Sequence, residues 1–173
     1  KLTPLEQESL YLLLGYQVNR ICRVVKGVVT VDGQRRGSGD MEDVAVGQVA
    51  RHSGVTLAPE NLPRHYTRRR FGVIRYVAYV SDQDVMDHSL VACVQVFRNR
   101  EETGPQGQIV VDPSVTRTRP LFIHLRDLGP CVAFVPTPKR SDGATILHVH
   151  KLLFWKDRKQ YVVQCFPQRR VYN

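Results

Sequence analysis

The chain has 173 residues, 42% of them hydrophobic, and carries 25 Lys and Arg against 16 Asp and Glu for a formal charge of +9. That is one domain's length with apolar content enough for a core, which excludes collagen-like, mucin-like and disordered chains. The apolar runs, Leu10 to Leu14 among them, fall far short of the ~20 residues that cross a bilayer, so neither a transmembrane helix nor a membrane partner is expected.

The opening residues Lys1 to Glu6 lack the basic, apolar and small-residue zones of a secretory signal. Because the chain starts at Lys1 rather than Met, a fragment of a larger protein is expected. Thr3-Pro4-Leu5-Glu6 sets a capping residue, a proline for the first turn and an early carboxylate in order, as a helix start does. Leu5, Leu10, Leu13 and Leu14 fit its apolar stripe and Gly15 ends it. Residues 18–31 are rich in Val and Ile, and Asp32-Gly33 reads as a hairpin turn followed by a loop at Gly37 to Asp40. A shorter strand is expected at Val44 to Val49, followed by the segment His52 to Leu57, with Pro59 and Pro63 closing a loop.

Gly72 to Val80 and Leu90 to Phe97 are β-rich runs joined by an acidic stretch holding Asp82, Asp84 and Asp87, which makes a long hairpin. Arg98 to Gly107 reads as a polar loop. Strands follow at Ile109 to Val111, Leu121 to Leu125, Cys131 to Val135, Thr145 to His150 and Tyr161 to Phe166, each bounded by Pro, Gly or Asp. With no long amphipathic helix after residue 20, five to eight strands in a sandwich or small barrel are expected. The whole of 1–173 reads as a single unit.

Cys22, Cys93, Cys131 and Cys165 are separated by 71, 38 and 34 residues, with no C-x-x-C pair of the kind that signals zinc. Two disulfides in three connectivities remain open. Buried reduced thiols in an intracellular protein are the preferred reading, since a chain of this size needs no covalent staples. Phosphate-binding glycine loops, H-E-x-x-H and G-x-S-x-G are all missing. No enzyme activity, catalytic residue, cofactor or metal is therefore expected. His148 and His150 would share one strand face but lack a third ligand, so a solvated pair on an exposed face is expected. The acidic loop lacks the glycine and terminal glutamate of an EF-hand.

Charge is unevenly spread. Residues 1–60 hold 7 basic and 7 acidic residues, whereas residues 61–173 hold 18 and 9. The first section is thus a neutral helix plus hairpin and the second a basic, strand-rich part. Nineteen of the basic residues are Arg, whose planar fork suits phosphate; a GC-rich coding sequence would raise Arg equally well. They gather in Arg64 to Arg70, in Arg117 and Arg119, in Lys156 to Lys159, and in Arg169 and Arg170. Tyr66, Trp155, Tyr161 and Tyr172 lie among them, and aromatic faces beside guanidinium groups grip bases or methylated ammonium groups. About six to ten phosphate contacts would make binding fall ~10³- to 10⁵-fold between about 50 and 200 mM salt. The plain alternative is that these are solvated turns.

Arg70 to Val77, then an acidic turn, then Leu90 to Thr103 ending in Phe97-Arg98-Asn99-Arg100-Glu101-Glu102-Thr103, resembles the central hairpin of bromo-adjacent homology (BAH) domains. Where that family commonly has Trp-Phe-Tyr before the Arg, this chain has Val96-Phe97. The order Ser53-Gly54-Val55, Gly72-Val73-Ile74, Pro120-Leu121-Phe122-Ile123 and Val132-Ala133-Phe134-Val135 is also similar to a small β-domain encoded by CACTA-type and other cut-and-paste transposons. The resemblance spans residues 18–136. It implies a mainly β fold, a small partly open barrel of BAH or SH3-like kind with one short N-terminal helix, acting without catalysis on chromatin or DNA in the nucleus. The three aromatics of a methyl-lysine cage are not found by motif.

The expected function is nucleic-acid binding, with DNA favoured over RNA. Arg68, Arg69, Arg70, Arg117, Arg119, Arg158, Lys159, Arg169 and Arg170 would contact phosphates, with Tyr66 or Trp155 as a stacking face. The alternative is a BAH-type interaction module that docks a histone or another chromatin protein along a strand edge.

Overall fold

The computed structural model describes residues 1–18, 20–21, 23–26, 29–30, 41–43, 48–49, 51–64, 70–81, 88–114, 120–137, 145–155 and 160–164. Among these residues one helix, α1 (Pro4–Leu14), precedes thirteen strands. They are β1 (Arg23–Val25), β2 (Val29–Thr30), β3 (Met41–Asp43), β4 (Gln48–Val49), β5 (Gly54–Leu57), β6 (Arg70–Ser81) and β7 (His88–Val96), then β8 (Arg98–Thr103), β9 (Ile109–Asp112), β10 (Leu121–His124), β11 (Cys131–Pro136), β12 (Leu147–Trp155) and β13 (Gln160–Gln164). Two single turns of 3₁₀ helix, Pro59–Asn61 and Leu125–Asp127, lie in the connections. The fold is mainly β, with more strands among the described residues than the five to eight expected.

The main sheet is antiparallel and runs β10-β7-β6-β5-β11-β12-β9-β8, with β1 added beside β6 and both β3 and β13 beside β12; β2 and β4 form a separate pair. The β6–β7 hairpin is its centre. Ile74 pairs with Val94 and Tyr76 with Cys93, so Arg75 is an extra residue, a bulge. It changes the parity of β6. Ile74 and Val77, three apart, face one side with Ala92 and Val94, while Val73, Tyr76 and Val80 face the other. A strict alternation would have sent Val77 to the wrong face.

Both faces of the central strands are covered. On one, Val55, Leu57, Ile74, Val94 and Cys131 pack with Leu62, Leu125 and Leu128 from the connections. On the other, Phe71 and Phe97 pack with Val111, Phe134 and Val149, the Phe97 and Phe134 rings meeting edge to face at 5.1 Å. Beyond the bulge that second face is closed by α1, whose Leu10 is fully buried against Val80, Val91, Cys93 and Phe122. Truncating such a leucine to alanine costs about 2 to 5 kcal/mol.

Several expectations change. Arg98 to Thr103 is strand β8 rather than a polar loop, because β7 continues through Phe97 into it and the ladder to β9 holds it extended. Tertiary pairing overrides the weak strand preference of its Arg, Asn and Glu residues. Arg100 lies 3.0 Å from Glu102 and 3.4 Å from Asp112, so charges along this strand neutralise one another. His148 and His150 share a face with ring centroids 6.4 Å apart, but that face is not open: His150 is only 7% exposed, and His148 is half-buried beside Gly104. Among the described residues no three His, Cys, Asp or Glu side chains gather as metal ligands would. Leu5 is off the buried stripe of α1, at 45% exposure. The turns at Asp32-Gly33, Gly37 to Asp40, Asp82 to Asp87 and Lys156 to Lys159, and the residues Cys22 and Cys165, lie outside the described residues, whereas Cys93 and Cys131 are buried free thiols.

Gly54 shows how closely β5 and β11 approach: a Cβ there would strike the Val132 carbonyl oxygen and the Phe134 ring. Gly54→Ala should therefore destabilise by about 1 to 3 kcal/mol, read as a lower urea midpoint at unchanged slope. A midpoint equal to wild type would mean that this approach does not exist.

Candidate functional site

The helix α1 is tied at three points. Thr3 Oγ1 accepts the Glu6 N–H at 3.3 Å while Glu6 Oε2 accepts the Thr3 N–H at 2.9 Å, a reciprocal capping box. Gly15, with φ of +79°, ends the helix in the left-handed conformation and donates its N–H to the Tyr11 carbonyl at 2.9 Å. The remaining Glu6 oxygen, Oε1, accepts the Tyr76 hydroxyl at 2.9 Å, so a single carboxylate starts the helix and fastens it to β6.

Partial burial pushes Glu6 toward the neutral form, but the Thr3 N–H, the hydroxyls of Tyr76 and Thr3 and the positive Arg75 outweigh it and hold the carboxyl below its ordinary value. Tyr76 is raised, first by burial and then by Cys93 and Glu6. Burial pushes the Cys93 thiol up to about 11. The thiol is fully buried and packs with Leu10, Val80 and Phe122.

Ser9 lies one turn further along α1 and accepts the Phe122 N–H of β10 at 3.1 Å through Oγ. β10 is one end of the sheet path, and this hydroxyl together with Pro120, which has no N–H, breaks up its free edge. Across from the helix, Asn61 Nδ2 donates to the Asp127 carbonyl at 3.1 Å and holds the two 3₁₀ turns together.

Between them is a groove of about 820 Å³. Leu5 and Leu12 of α1 face it from one side and Leu62 and Pro63 from the other, with β10 completing the lining. Leu12 is 72% exposed. Among the described residues the ionisable members of the lining are Glu8, Glu60, Asp127 and Arg64.

Of the residues expected to bind phosphate, Arg70 is described: it opens β6 opposite Leu57 and is partly buried rather than held out on a loop. Trp155 ends β12, opposite Gln160 on β13 and Met41 on β3. Tyr66, Arg68, Arg69, Arg117, Arg119, Arg158, Lys159, Arg169 and Arg170 lie outside the described residues. Arg64 and Pro120 both line the groove. Sequence reasoning missed the groove itself. Its one signal was the helix: Leu5 and Leu12, seven residues apart, repeat on one face about 140° from Leu10, so α1 is apolar on two sides.

No protein-family model, curated protein or solved structure matches the chain.

The Glu6 carboxylate carries a pH signature. Its folded pKa lies below its ordinary value of 4.5, so its contribution is full above that value and is lost as pH falls through the folded pKa. The melting temperature of the wild type should drop more steeply on acidification below about pH 4.5 than that of Glu6→Gln, the two curves converging at low pH. Parallel curves would show that Glu6 does not fasten the helix.

Proposed function

We propose that the chain is a non-catalytic nucleic-acid-binding module, for DNA before RNA, whose arginine clusters contact phosphate. The carrying observation is the placement of charge. All nine net positive charges fall in residues 61–173, and they gather in short clusters, Arg68 to Arg70 and Arg117 with Arg119 among them. Clustered guanidinium groups address several phosphates at once, which raises affinity and salt dependence together.

The barrel reading belongs to the same proposal. β7 pairs with β6, Phe97 donates its N–H to the Phe71 carbonyl at 2.8 Å, and the same extended segment continues as β8 to pair with β9. Followed outward from β7 through β6, β5, β11, β12 and β9, the ladder returns to its own starting segment at β8. This supports a partly open barrel of BAH or SH3-like kind, with β10 and α1 packed outside the circuit. The nuclear, chromatin- or transposon-linked setting follows from the sequence resemblance alone.

The second reading, docking of a histone or another partner chain, is favoured by the apolar groove. Strand addition at β10 is not the mode that fits it, because Ser9 and Pro120 interrupt that edge.

The test is a mobility-shift titration of duplex DNA, single strands and RNA at about 50 and 200 mM salt. Replacing Arg68, Arg69 and Arg70 with Ala should weaken binding, and the Arg68→Ala/Arg69→Ala variant, which keeps the start of β6, should flatten the salt slope by about 2. Unchanged affinity and slope in both would overturn the assignment.

A further inference from the structure

Between Arg70 and Ser81 the strand β6 carries one charged residue, and it is Arg75, the extra residue of the bulge. Its side chain is exposed, although Ile74 before it is fully buried and Val77 beyond it nearly so. A bulge re-aims a side chain out of the alternation on either side of it. Here the side chain released is a guanidinium.

The edge of β6 away from β7 is broken at the same point. The ladder to β5 ends with Gly54 opposite Val73, and the turn before β5 adds the His52 N–H on the Ile74 carbonyl at 2.7 Å. From the other direction the ladder to β1 ends with Val25 opposite Val77. The chain therefore leaves β6 after Val25 and returns to it at His52. Lys26, the first residue out, and Arg51, the last before the return, stand on the two sides of the break. Adjacent strands lie about 5 Å apart and residues about 3.3 Å along a strand, which brings the backbones of Lys26, Arg51 and Arg75 within about 10 Å of one another. In the sequence they are 25 and 24 residues apart.

All three side chains are exposed, and among the described residues none of them forms an ion pair. Glu6 feels the charge of Arg75 through space, but its oxygens are held by Thr3 and Tyr76. The turn that presents Arg51 is fixed. His52 takes φ of +72°, uncommon for a residue with a side chain, and Ile74 bonds both the His52 N–H and the Ser53 carbonyl. Two guanidinium forks and an ammonium group brought together on a fixed backbone suit an anion with several acceptor oxygens, which is what a phosphate group offers.

We infer that the break beside the β6 bulge is a phosphate site, in which Arg75, Arg51 and Lys26 together hold one phosphate group, of a nucleic-acid backbone or of a free phosphate compound. The backbone source rests on the nucleic-acid reading above; the site itself does not. None of its three residues belongs to the clusters at Arg68 to Arg70 or at Arg117 and Arg119, so it is a separate point of attachment.

Sodium tripolyphosphate is titrated into the full chain and followed by isothermal calorimetry. Saturable binding at one site is expected, weakened about tenfold or more in Lys26→Gln/Arg51→Gln and in Arg75→Gln. Arg75→Lys should restore part of the loss, since it returns the charge without the fork. The control Arg98→Gln/Arg126→Gln removes two positive charges at exposed positions elsewhere and should bind as the wild type does. Wild-type affinity in the site variants, an equal loss in the control, or no saturable binding by the wild type would overturn the site. The same variants are titrated with duplex DNA at about 50 and 200 mM salt. A salt slope flattened by about 2 in Lys26→Gln/Arg51→Gln supports the site with a backbone phosphate as its source. An unchanged slope, with the tripolyphosphate loss intact, supports it with a free phosphate compound instead. A chain that binds tripolyphosphate here and no DNA at all would sink the nucleic-acid reading and leave the site standing.

Discussion

Everything else in this fold is arranged around the bulge at Arg75 in β6. A strand of twelve residues buried on both faces must place apolar groups alternately, yet Ile74 and Val77 belong to the same cluster. The extra residue reconciles the two requirements and puts a charge at the one position that leaves the ladder. Arg75 is exposed and lends its charge to Glu6. On one side of the bulge, Phe71 and Val73 face the aromatic cluster of Phe97 and Phe134; on the other, Tyr76 and Val80 face α1.

The edge of β6 away from β7 is likewise divided. Its first residues pair with β5 and its last with β1, while the Ile74 N–H and carbonyl meet Ser53 and His52 between them. With both edges and both faces occupied, β6 is the rigid reference for the helix. The helix can then carry apolar residues on its outer side, because its inner side is held by Leu10, Ser9 and the Glu6–Tyr76 bond and not by hydrophobicity alone. Stability and exposed leucines are thus compatible in one short helix, and the groove is a consequence of how that helix is fastened.

The helix and the hairpin were legible from local chemistry. Thr3, Pro4, Glu6 and Gly15 act within a few residues of one another, so their order predicts the capping box and the left-handed terminus that are observed. The β-branched runs on either side of the acidic stretch likewise predict β6 and β7. Where the expectation failed, the cause was remote. Arg98 to Thr103 has the composition of a loop and becomes a strand because β9 pairs with it. His148 and His150 were expected as a solvated pair on an exposed strand face, yet His150 is buried, because the burial of a strand face depends on what packs over it and not on the strand's own spacing. Leu5 fits the apolar stripe of α1 by spacing, but the sheet reaches only the side that carries Leu10.

What the sequence determined by itself is what depends on neighbours along the chain: the helix and its caps, the strand-rich character, the accumulation of arginine after residue 60. Tertiary structure alone decided which of those features meet. Glu60 and Asp127 are 67 positions apart in sequence, and neither stands in any motif with Glu8. They line one groove because Asn61 bonds to the carbonyl of Asp127 and because α1 is pinned beside β10. A groove assembled from residues so far apart is therefore invisible to composition, since a sum over residues discards their positions.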